Sequence, residues 1–573
     1  MVVLLLALSA CGQPDRTGGT MSAETGPPVV GDWVVVRYDS EPDTLNPMNS
    51  TTANATYTEY GTNSSQIFET LLQYDVAKNW QFDKPLLAES YPEVSADHLV
   101  YTFTIREGVR WHDGKPFSID DVLFSAKAAV CPGVDDAPVR STITDLIGAD
   151  IVEGRKIRFT VKKPYFLNDF QLGQLPIIAK HIYDPQGVLD KFTFSDLLSP
   201  KNIANPALKQ FAEAFNRHPS GRQPVGTGPY KFVKWDTGKE ITLVRNDDYW
   251  GKKAYLDKII YRPILDVTAA LTALKSGEVD LMPRLGYIQY AQQTSGEAFE
   301  KQFSKAKYSY PNYGYIGWNF EKPIFKDKRV RHALTMLVNR QQIIDSLRFG
   351  LGRVAVTHFT PNSPDFNTNL KPLPYDPKRA AELLDEAGWS DHNGDGIRDK
   401  DGVPFRFELL APATTQYYDQ LLPILKEEFR KVGIDMMERR LEFTVLIENL
   451  KDHKFDAVSA AWTSDLLSDP FQVWHSSSMK NRGSNFNSFR NDEADSLIER
   501  ARQEFDPEKR RQLYWRLQEI MHDEQPYTFV YYGEEAAAYH KRFQNVEWLP
   551  ARPSYDLSAW FVPKMTQKYT ASQ

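Results

Sequence analysis

The chain has 573 residues, which is too many for a single hydrophobic core and predicts two or three domains. Hydrophobic residues make up 41% and charged residues 25%, as in an ordinary globular protein, and aromatic residues are plentiful enough to suit a large pocket that binds by stacking. The formal net charge of −7, with no basic tract, argues against nucleic acid as a partner, and two cysteines exclude a framework of disulfide bonds.

The chain begins with an apolar stretch, MVVLLLALSAC, which matches the apolar region of a secretion signal. It is too short to span a bilayer, which needs about 20 residues. Its end, Leu8-Ser9-Ala10-Cys11, resembles a bacterial lipobox, in which the cysteine is lipidated and becomes the mature N terminus. We predict a lipoprotein signal peptide over residues 1–11 with Cys11 as the lipid anchor, followed by a flexible tether over residues 12–31. The alternative is a plain signal peptide in which the cysteine occurs by chance.

The first predicted strand starts at Trp33, and a second predicted strand alternates cleanly from Tyr101 to Arg106. Ser118 then precedes an acidic first turn, Asp120 and Asp121, which predicts a capped helix. Further along, apolar residues from Val330 to Leu347 follow one helical face, with Gly350 as a stop. The late segment from Asp492 to Pro526 predicts two helices that meet around Asp506-Pro507.

A possible calcium loop follows Trp389. Asp391, Asn393 and Asp395 take the first, third and fifth oxygen positions of such a loop, and Asp399 takes the ninth. The twelfth position is Gly402 instead of the bidentate glutamate. A surface hairpin with alternating acids also occurs without metal, so structural calcium is one of two alternatives.

The stretch from Phe455 to Trp474 changes abruptly in character. Small and apolar residues up to Trp462 predict a strand buried on both faces, and hydroxyl and carboxylate residues follow immediately. In α/β proteins, ligands tend to bind where a strand opens into such a loop. Trp462, with Asp465 three residues later, suits a cationic group that lies against the ring. The alternative is an ordinary turn, in which Asp465 and Asp469 cap backbone amides.

No motif of a hydrolase is evident. The sequence has neither a GxSxG nucleophile elbow nor an HExxH metal motif, and its 11 histidines are scattered. A carboxylate pair for glycoside hydrolysis forms in space and leaves no sequence signature. We therefore expect no enzymatic activity, with an exported hydrolase as the alternative.

One long block carries a family resemblance. Residues 87–127, LAESYPEVSADHLVYTFTIREGVRWHDGKPFSIDDVLFSAK, resemble the signature block of the family 5 extracellular solute-binding proteins, which are peptide, nickel and oligosaccharide receptors of ABC importers. The segments that begin at Gly226, Arg245 and Phe325 are also similar to this family. The resemblance extends over nearly the whole chain after the tether.

The resemblance implies an α/β fold of the bilobal periplasmic-binding-protein type (type II, cluster C), with an extra domain and hinge-connected lobes. Lobe I would comprise residues 32–75, 225–305 and 530–565, and lobe II residues 306–529. The extra domain, residues 76–224, would be attached to lobe I; we call it the insertion. The hinges would lie near 306 and 529.

The resemblance also implies a site. In peptide-binding relatives an aspartate at the position of Asp465 pairs with the ligand's α-amino group, and Asp469 could partly take its place. Residues 410–416 lack the arginine that binds the ligand carboxylate in dipeptide-type relatives, which favours a longer peptide held mainly by its backbone. The predicted ligand-binding residues are Asp465, Trp462, Thr463, Ser464, Asn485, Arg482, Tyr313, Trp318 and Asn319, and Tyr315 could also line the cleft.

The implied function is that of the substrate-binding component of an ABC importer, which captures peptides, in particular oligopeptides, outside the cytoplasmic membrane. Its partners would be the solute, the permease subunits and, through the lipid anchor, a membrane. It would be a membrane-anchored lipoprotein in the periplasm or at the cell surface. The protein would be a monomer without a cofactor, apart from the possible calcium. A receptor for a nickel chelate, oligosaccharide or opine is the alternative, as is a sensor that feeds no importer.

Overall fold

The computed structural model describes residues 26–50, 66–75, 81–413, 416–463, 467–480, 482–550 and 553–569. The predicted signal peptide and Cys11 lie outside the described residues, as do Ser464 and Asp465.

Lobe I is built on a mixed sheet with seven strands in the described part of the chain. In order across the sheet, these are Phe303–Tyr308, Glu535–His540, Leu281–Leu285, Trp33–Tyr38, Lys258–Pro263, Glu240–Arg245 and Tyr230–Asp236. The central strand is buried on both faces: Val34 and Val36 pack into one hydrophobic core, and Trp33 and Val35 pack into another. The longer helices of this lobe are Val267–Ser276 and Glu297–Gln302.

The insertion contains an antiparallel sheet whose described strands run in the order Glu93–Val94, Val100–Thr104, Lys156–Val161 and Leu146–Glu153. Its helices are Ile119–Val130, Ala137–Thr142, Asn168–Gly173, Lys180–Tyr183, Phe194–Leu198 and Pro206–Asn216. The predicted helix after Ser118 is confirmed: Ser118 is its N-cap, and the Asp121 carboxylate accepts the Ser118 amide at 2.9 Å. Trp111 and Phe159 lie in the same core as Val34, so the insertion and lobe I share one hydrophobic core. A separate hairpin pairs Leu72–Asp75 with Gln81–Pro85.

A buried carboxyl group, Glu69, lies where the insertion meets lobe I. Its backbone carbonyl accepts the amide of Ile177, and its side chain accepts hydrogen bonds from Tyr249 Oη at 2.7 Å and Trp250 Nε1 at 2.9 Å. Burial raises the pKa of Glu69 to about 7, although these hydrogen bonds favour the ionised form.

Lobe II is built on a second mixed sheet, whose described strands run in the order Gly352–Val354, Tyr527–Gly533, Asn312–Trp318, Ala457–Thr463, Arg406–Pro412 and Asp435–Leu441. Its helices are Lys328–Met336, Arg340–Leu347, Pro377–Glu386, Gln416–Arg430, Phe443–Lys451, Phe471–Trp474, Asp492–Arg502 and Pro507–Glu524. The short strands Asp399–Lys400 and Val403–Pro404 form a hairpin. Two hydrophobic cores pack against this sheet, one containing Ile316 and Trp318, the other Tyr313 and Tyr315.

The two helices predicted around Asp506 are confirmed, and the Asp506 side chain caps the second one. The apolar face predicted from Val330 to Leu347 is divided between two helices. The Asn339 side chain accepts the Gln342 amide at 3.1 Å and so caps a new helix at Arg340. The apolar periodicity continues across this break and therefore does not reveal it.

The chain passes between the two large sheets at two neighbouring points. Residues 309–311 connect Phe303–Tyr308 of lobe I to Asn312–Trp318 of lobe II, and Glu534 alone connects Tyr527–Gly533 to Glu535–His540. Asn312 Nδ2 donates to the carbonyl of Tyr310 at 2.8 Å and to that of Gly533 at 3.3 Å, which ties the two crossings together. Both crossings lie a few residues beyond the positions near 306 and 529 that the resemblance implies: the strands Phe303–Tyr308 and Tyr527–Gly533 continue past those positions before the chain changes lobe.

Candidate functional site

A cavity of about 440 Å³ lies at the boundary of the two lobes. This volume falls within the range of about 300–1,000 Å³ that is typical of small-molecule sites. Tyr287 of lobe I contributes to the wall, and the other described lining residues belong to lobe II. They are Tyr315, Arg348, Pro412, Tyr417, Tyr418, Phe443, Leu446, Ile447, Leu450, Ala460, Ala461, Trp462, Phe486 and Tyr531.

The cavity opens where two parallel strands of lobe II diverge. In the described chain, Arg406–Pro412 pairs with Ala457–Thr463 only at Leu409–Ala457 and Leu410–Val458. Beyond these pairs, Pro412 and Ala460 through Trp462 line the cavity instead. The carboxyl ends of parallel strands are where α/β sheets commonly bind ligands.

The Ala457–Thr463 strand is therefore buried at its start and accessible at its end. Ala457, Val458 and Ser459 are buried, whereas Ala461 and Thr463 are exposed. The sequence predicts burial on both faces throughout, and the exposed end differs because the neighbouring strand has moved away to form the cavity.

Trp462 forms part of the cavity wall and is half-buried. Its ring stacks on Phe486 with a centroid distance of 5.8 Å and an interplanar angle of 15°. Its Nε1 donates to Tyr527 Oη at 3.4 Å, and the Tyr527 ring in turn stacks on Tyr315 at 4.0 Å. These contacts fix the indole so that the rest of the ring faces the cavity.

Gly314 provides the room for another wall residue, Tyr531. The two residues are directly paired on neighbouring strands. A Cβ atom at position 314 would lie 2.4 Å from the Tyr531 ring. The ring can therefore lie over the neighbouring strand only because residue 314 is a glycine and has no side chain.

The phenol groups at the cavity are neutral. Burial raises the pKa of Tyr315, Tyr417, Tyr418 and Tyr531 above the ordinary value for tyrosine. Each phenol hydroxyl can therefore donate as well as accept a hydrogen bond at neutral pH.

Arg348 brings a cation to this largely aromatic surface, and its side chain is buried, with a relative exposure of 4%. Its Nε donates to the Leu351 carbonyl at 2.9 Å and its Nη2 to the Glu534 carbonyl at 3.3 Å. The guanidinium carbon lies 4.1 Å from the ring centroid of Tyr531 and 4.6 Å from that of Tyr287. Arg348 thus contacts both lobes and one chain crossing.

The predicted loop after Trp462 is only partly described. Thr463 is the exposed last residue of its strand. Ser464 and Asp465 lie outside the described residues, so the role of Asp465 stays a prediction.

Asn485 and Arg482 lie away from the cavity wall. Asn485 is buried, and its Nδ2 donates to the carbonyls of His475 at 3.2 Å and Phe489 at 2.9 Å. Arg482 is on the surface and forms ion pairs with Glu448 and Asp452.

Tyr313, Trp318 and Asn319 are also interior residues. Trp318 and Asn319 have no exposed surface, and Asn319 Nδ2 donates to the Phe455 carbonyl at 2.8 Å. Tyr313 packs against Phe529 in the core behind the cavity. The structure brings Tyr315 of this strand to the cavity and keeps the other three in the core.

Asp469 belongs to a contact between the insertion and lobe II. Its Oδ2 accepts a hydrogen bond from Tyr165 Oη at 2.9 Å and lies 3.0 Å from Arg502 Nε. Its Oδ1 accepts the Phe471 amide at 3.0 Å, as expected of a capping carboxylate. The carboxylate is thus occupied by protein groups and is not part of the cavity wall.

The same contact contains apolar and backbone interactions. The Phe166 amide donates to the Arg502 carbonyl at 3.0 Å, and His98 stacks on Phe505 with centroids 3.6 Å apart. Tyr165, Phe166 and Leu167 are buried against Leu467 and Phe505 of lobe II, in a cluster of their own. We call this set of interactions the insertion contact.

In the predicted calcium loop, the side chains bond to their own backbone. Both carboxylate oxygens of Asp391 accept amides, from Gly394 at 2.8 Å and from Gly396 at 3.0 Å. The Asp395 carboxylate accepts the Ile397 amide, and Asp399 pairs with His392. Throughout the described residues, no three His, Cys, Asp or Glu side chains converge as metal ligands. Calcium binding stays a prediction.

Several wall residues were not found from the sequence. Tyr287, Arg348, Tyr417 and Tyr531 come from segments far apart in the chain and carry no shared motif. Arg348 directly follows an amphipathic helix, a position that carries no specific signal of a cavity residue. None of the described helices is long and apolar enough to cross a membrane.

Comparisons with known proteins agree with this fold. The sequence is 29% identical over 572 residues to the oligopeptide-binding protein AppA of Bacillus subtilis, covering 98% of each chain. The structure of AppA in complex with a nonapeptide superposes with a TM-score of 0.71 over 94% of this chain and 100% of that one. NikZ from Campylobacter jejuni in complex with Ni(L-His) gives the same TM-score at 25% identity, over 92% of this chain and 99% of that one. The predicted α/β bilobal fold is confirmed.

The dipeptide-binding protein of Escherichia coli is another relative, 26% identical over 519 residues, which covers 86% of this chain and 88% of that protein. Residues 84–484 match the family model described as bacterial extracellular solute-binding proteins, family 5 Middle. The resemblance inferred from residues 87–127 is thereby confirmed. The chain belongs to the family 5 bacterial extracellular solute-binding proteins.

Proposed function

We propose that the protein is the substrate-binding component of an ABC importer, and that it captures peptides outside the cytoplasmic membrane and delivers them to the permease. The observation that carries this proposal is the aromatic cavity at the lobe boundary, which opens between diverging strands. The likeness to AppA, solved with a nonapeptide, and to the dipeptide-binding protein of Escherichia coli supports a peptide as the solute.

The shape of the opening suits a peptide backbone. Past Val458, the edges of the two lobe II strands are separated by the cavity, and an extended peptide can add its backbone hydrogen bonds there. The neutral phenols of Tyr417 and Tyr418 supply further donors and acceptors, while Trp462 and Phe486 contact side chains by area burial. Enclosure between two lobes strengthens each of these polar contacts, because the dielectric inside is lower than in water.

The amine of the peptide would pair with Asp465, in the loop that follows Trp462. A randomised pool of short synthetic peptides, incubated with purified protein, should yield bound peptides in affinity selection with mass spectrometry. The variant Asp465→Ala should bind them more weakly, and unchanged binding would remove Asp465 from the site. A complete failure of the pool to bind would refute the proposed function.

Delivery to a permease is a separate question from binding. Deletion of the gene should abolish uptake of the selected peptides, and undiminished uptake would favour a sensor. Mass spectrometry of the same peptides after incubation should show them intact, since cleavage would indicate a hydrolase.

We also infer that the protein is held at the membrane by a lipid on Cys11, in the periplasm or at the cell surface. The lipobox-like residues at its N terminus support this inference. Replacing Cys11 by serine should release the protein from the membrane fraction, and retention there would contradict a lipid anchor.

A further inference from the structure

We propose that the insertion contact acts as a clasp that closes together with the cavity, which makes Tyr165 of the insertion a positioning residue for ligand binding. Tyr165 is not part of the described cavity wall, so it would act at a distance from the ligand. This inference rests on the proposed peptide-binding function and assigns the insertion a part in it: the insertion holds lobe II in the arrangement that encloses the ligand.

The insertion contact joins two bodies that are otherwise built separately. The insertion shares a hydrophobic core with lobe I, to which Trp111 and Phe159 contribute. The two cores described for lobe II contain no residue of the insertion. When the lobes rotate about the chain crossings, the insertion therefore moves with lobe I, and the insertion contact has to open.

The composition of the insertion contact suits an interface that opens and closes. Its apolar part is small, because residues 165–167 are the buried members of its cluster. Its polar part remains partly solvated, since the side chains of Asp469 and Arg502 are 18% and 30% exposed. Interfaces between domains that move are limited and mixed in this way, whereas permanent interfaces are larger and more apolar.

Tyr165 meets both charges of the ion pair on lobe II. Its hydroxyl donates to Asp469 at 2.9 Å, and its ring centroid lies 4.7 Å from the guanidinium carbon of Arg502. The opposite contact of that guanidinium is the Phe471 ring, at 4.4 Å. A directed hydrogen bond and a cation over a ring are satisfied together in only a narrow range of positions, so the contact defines how the insertion sits on lobe II.

One short helix connects Asp469 to the aromatic wall of the cavity. Asp469 Oδ1 accepts the amide of the first residue of the helix Phe471–Trp474 at 3.0 Å. At the other end of this helix, the Trp474 ring packs on Tyr527 with centroids 4.6 Å apart. Tyr527 Oη accepts the hydrogen bond from Trp462 of the wall. Wall and contact thus belong to one packed unit, so the approach of lobe I that encloses a ligand also brings the insertion onto Asp469.

The two closures should therefore support each other. A ligand held between the lobes favours their closed arrangement, and so does the insertion contact. Such coupling is reciprocal: the ligand stabilises the contact by the free energy by which the contact strengthens ligand binding. Loss of the Tyr165 hydroxyl should weaken peptide binding by up to about tenfold, mainly through faster release, since one hydrogen bond to a charged group is lost.

The first test needs no variant. A single peptide recovered from the randomised pool is added to wild-type protein at saturation, and amide exchange is followed by mass spectrometry. The Phe166 amide bonds to the Arg502 carbonyl across the contact, so its exchange should slow by about tenfold or more. The Lys209 amide is the control: it bonds to the Asn205 carbonyl in the first turn of an insertion helix, opens by local fraying and should keep its exchange rate.

The second test measures the Kd and the release rate of the same peptide. Tyr165→Phe should raise both, by up to about tenfold, whereas Tyr255→Phe should bind as the wild type does, because the half-buried Tyr255 hydroxyl bonds to no described residue. Unchanged exchange at Phe166 in the presence of bound peptide, or wild-type affinity in Tyr165→Phe, would overturn the inference and make the contact permanent packing, with peptide binding intact. If no peptide binds, the proposed function fails and this inference fails with it.

Discussion

The insertion contact should open more easily when one hydroxyl group, that of Tyr165, is removed. Tyr165→Phe removes the hydrogen bond from Tyr165 to Asp469 and leaves the ring in place. A hydrogen bond to a charged group contributes about 1.5–3 kcal/mol. Because Arg502 and the Phe471 amide still hold the carboxylate, we expect the lower end of this range, about 1.5 kcal/mol. That value corresponds to about tenfold in the equilibrium between the formed and the opened contact.

Hydrogen exchange measures this equilibrium without a ligand. The Phe166 amide bonds to the Arg502 carbonyl across the contact, so it exchanges when the contact opens. In exchange mass spectrometry, peptides that contain Phe166 should exchange about tenfold faster in Tyr165→Phe than in the wild type. Tyr255→Phe is the control, because the half-buried Tyr255 hydroxyl bonds to no described residue.

Exchange at Phe166 that is the same in Tyr165→Phe, Tyr255→Phe and the wild type would refute the reasoning. It would mean that the Tyr165 hydroxyl bonds equally well to water when the contact is open, and that the apolar packing of Phe166 and Leu167 alone maintains the contact.

Three further predictions concern the wall and the buried acid. Gly314→Ala should destabilise the protein by about 1–3 kcal/mol, because the new methyl group displaces Tyr531; an unchanged thermal unfolding curve would contradict this. Trp462→Ala should weaken selection of the peptide pool by about tenfold, because the ring stacked on Phe486 is lost; undiminished selection would exclude the ring from the site. The wild-type protein should lose up to about 3 kcal/mol of its free energy of unfolding as pH rises from about 4.5 to 7, because Glu69 ionises at a lower pH in the unfolded chain than in the folded one. Glu69→Gln should abolish this loss. Unfolding free energies that change with pH in the same way in both proteins would refute the raised pKa.

Features encoded by neighbouring residues could be predicted from the sequence. The helix after Ser118 and the helix pair around Asp506 depend on a capping side chain and the turn beside it, and both are found as expected. The break at Asn339 also depends on a local cap, but an uninterrupted apolar pattern masks it. The bilobal fold followed from residues 87–127 by resemblance, not from any physical pattern.

The site was harder to predict because its walls are assembled from distant segments. Trp462 was found because a change from apolar to polar residues marks the end of its strand. Tyr287 and Tyr531 lie on different lobes and meet at Arg348 only after the whole chain has folded. Asp469 has the residue type expected of a ligand contact, yet Tyr165, some 300 positions away, already uses its carboxylate. Tyr313 and Tyr315 are two tyrosines two positions apart on one strand, so the sequence does not distinguish them. Packing places only Tyr315 at the cavity.

The side chain of Asn312 has a mechanical consequence. It joins the two chain crossings, so these two segments form one narrow pivot instead of two independent linkers. Such a pivot allows rotation about one axis and resists sliding, since each crossing continues directly into a strand on both sides. The Glu534 carbonyl at this pivot also accepts a hydrogen bond from Arg348, so the cavity wall and the axis of rotation share one side chain.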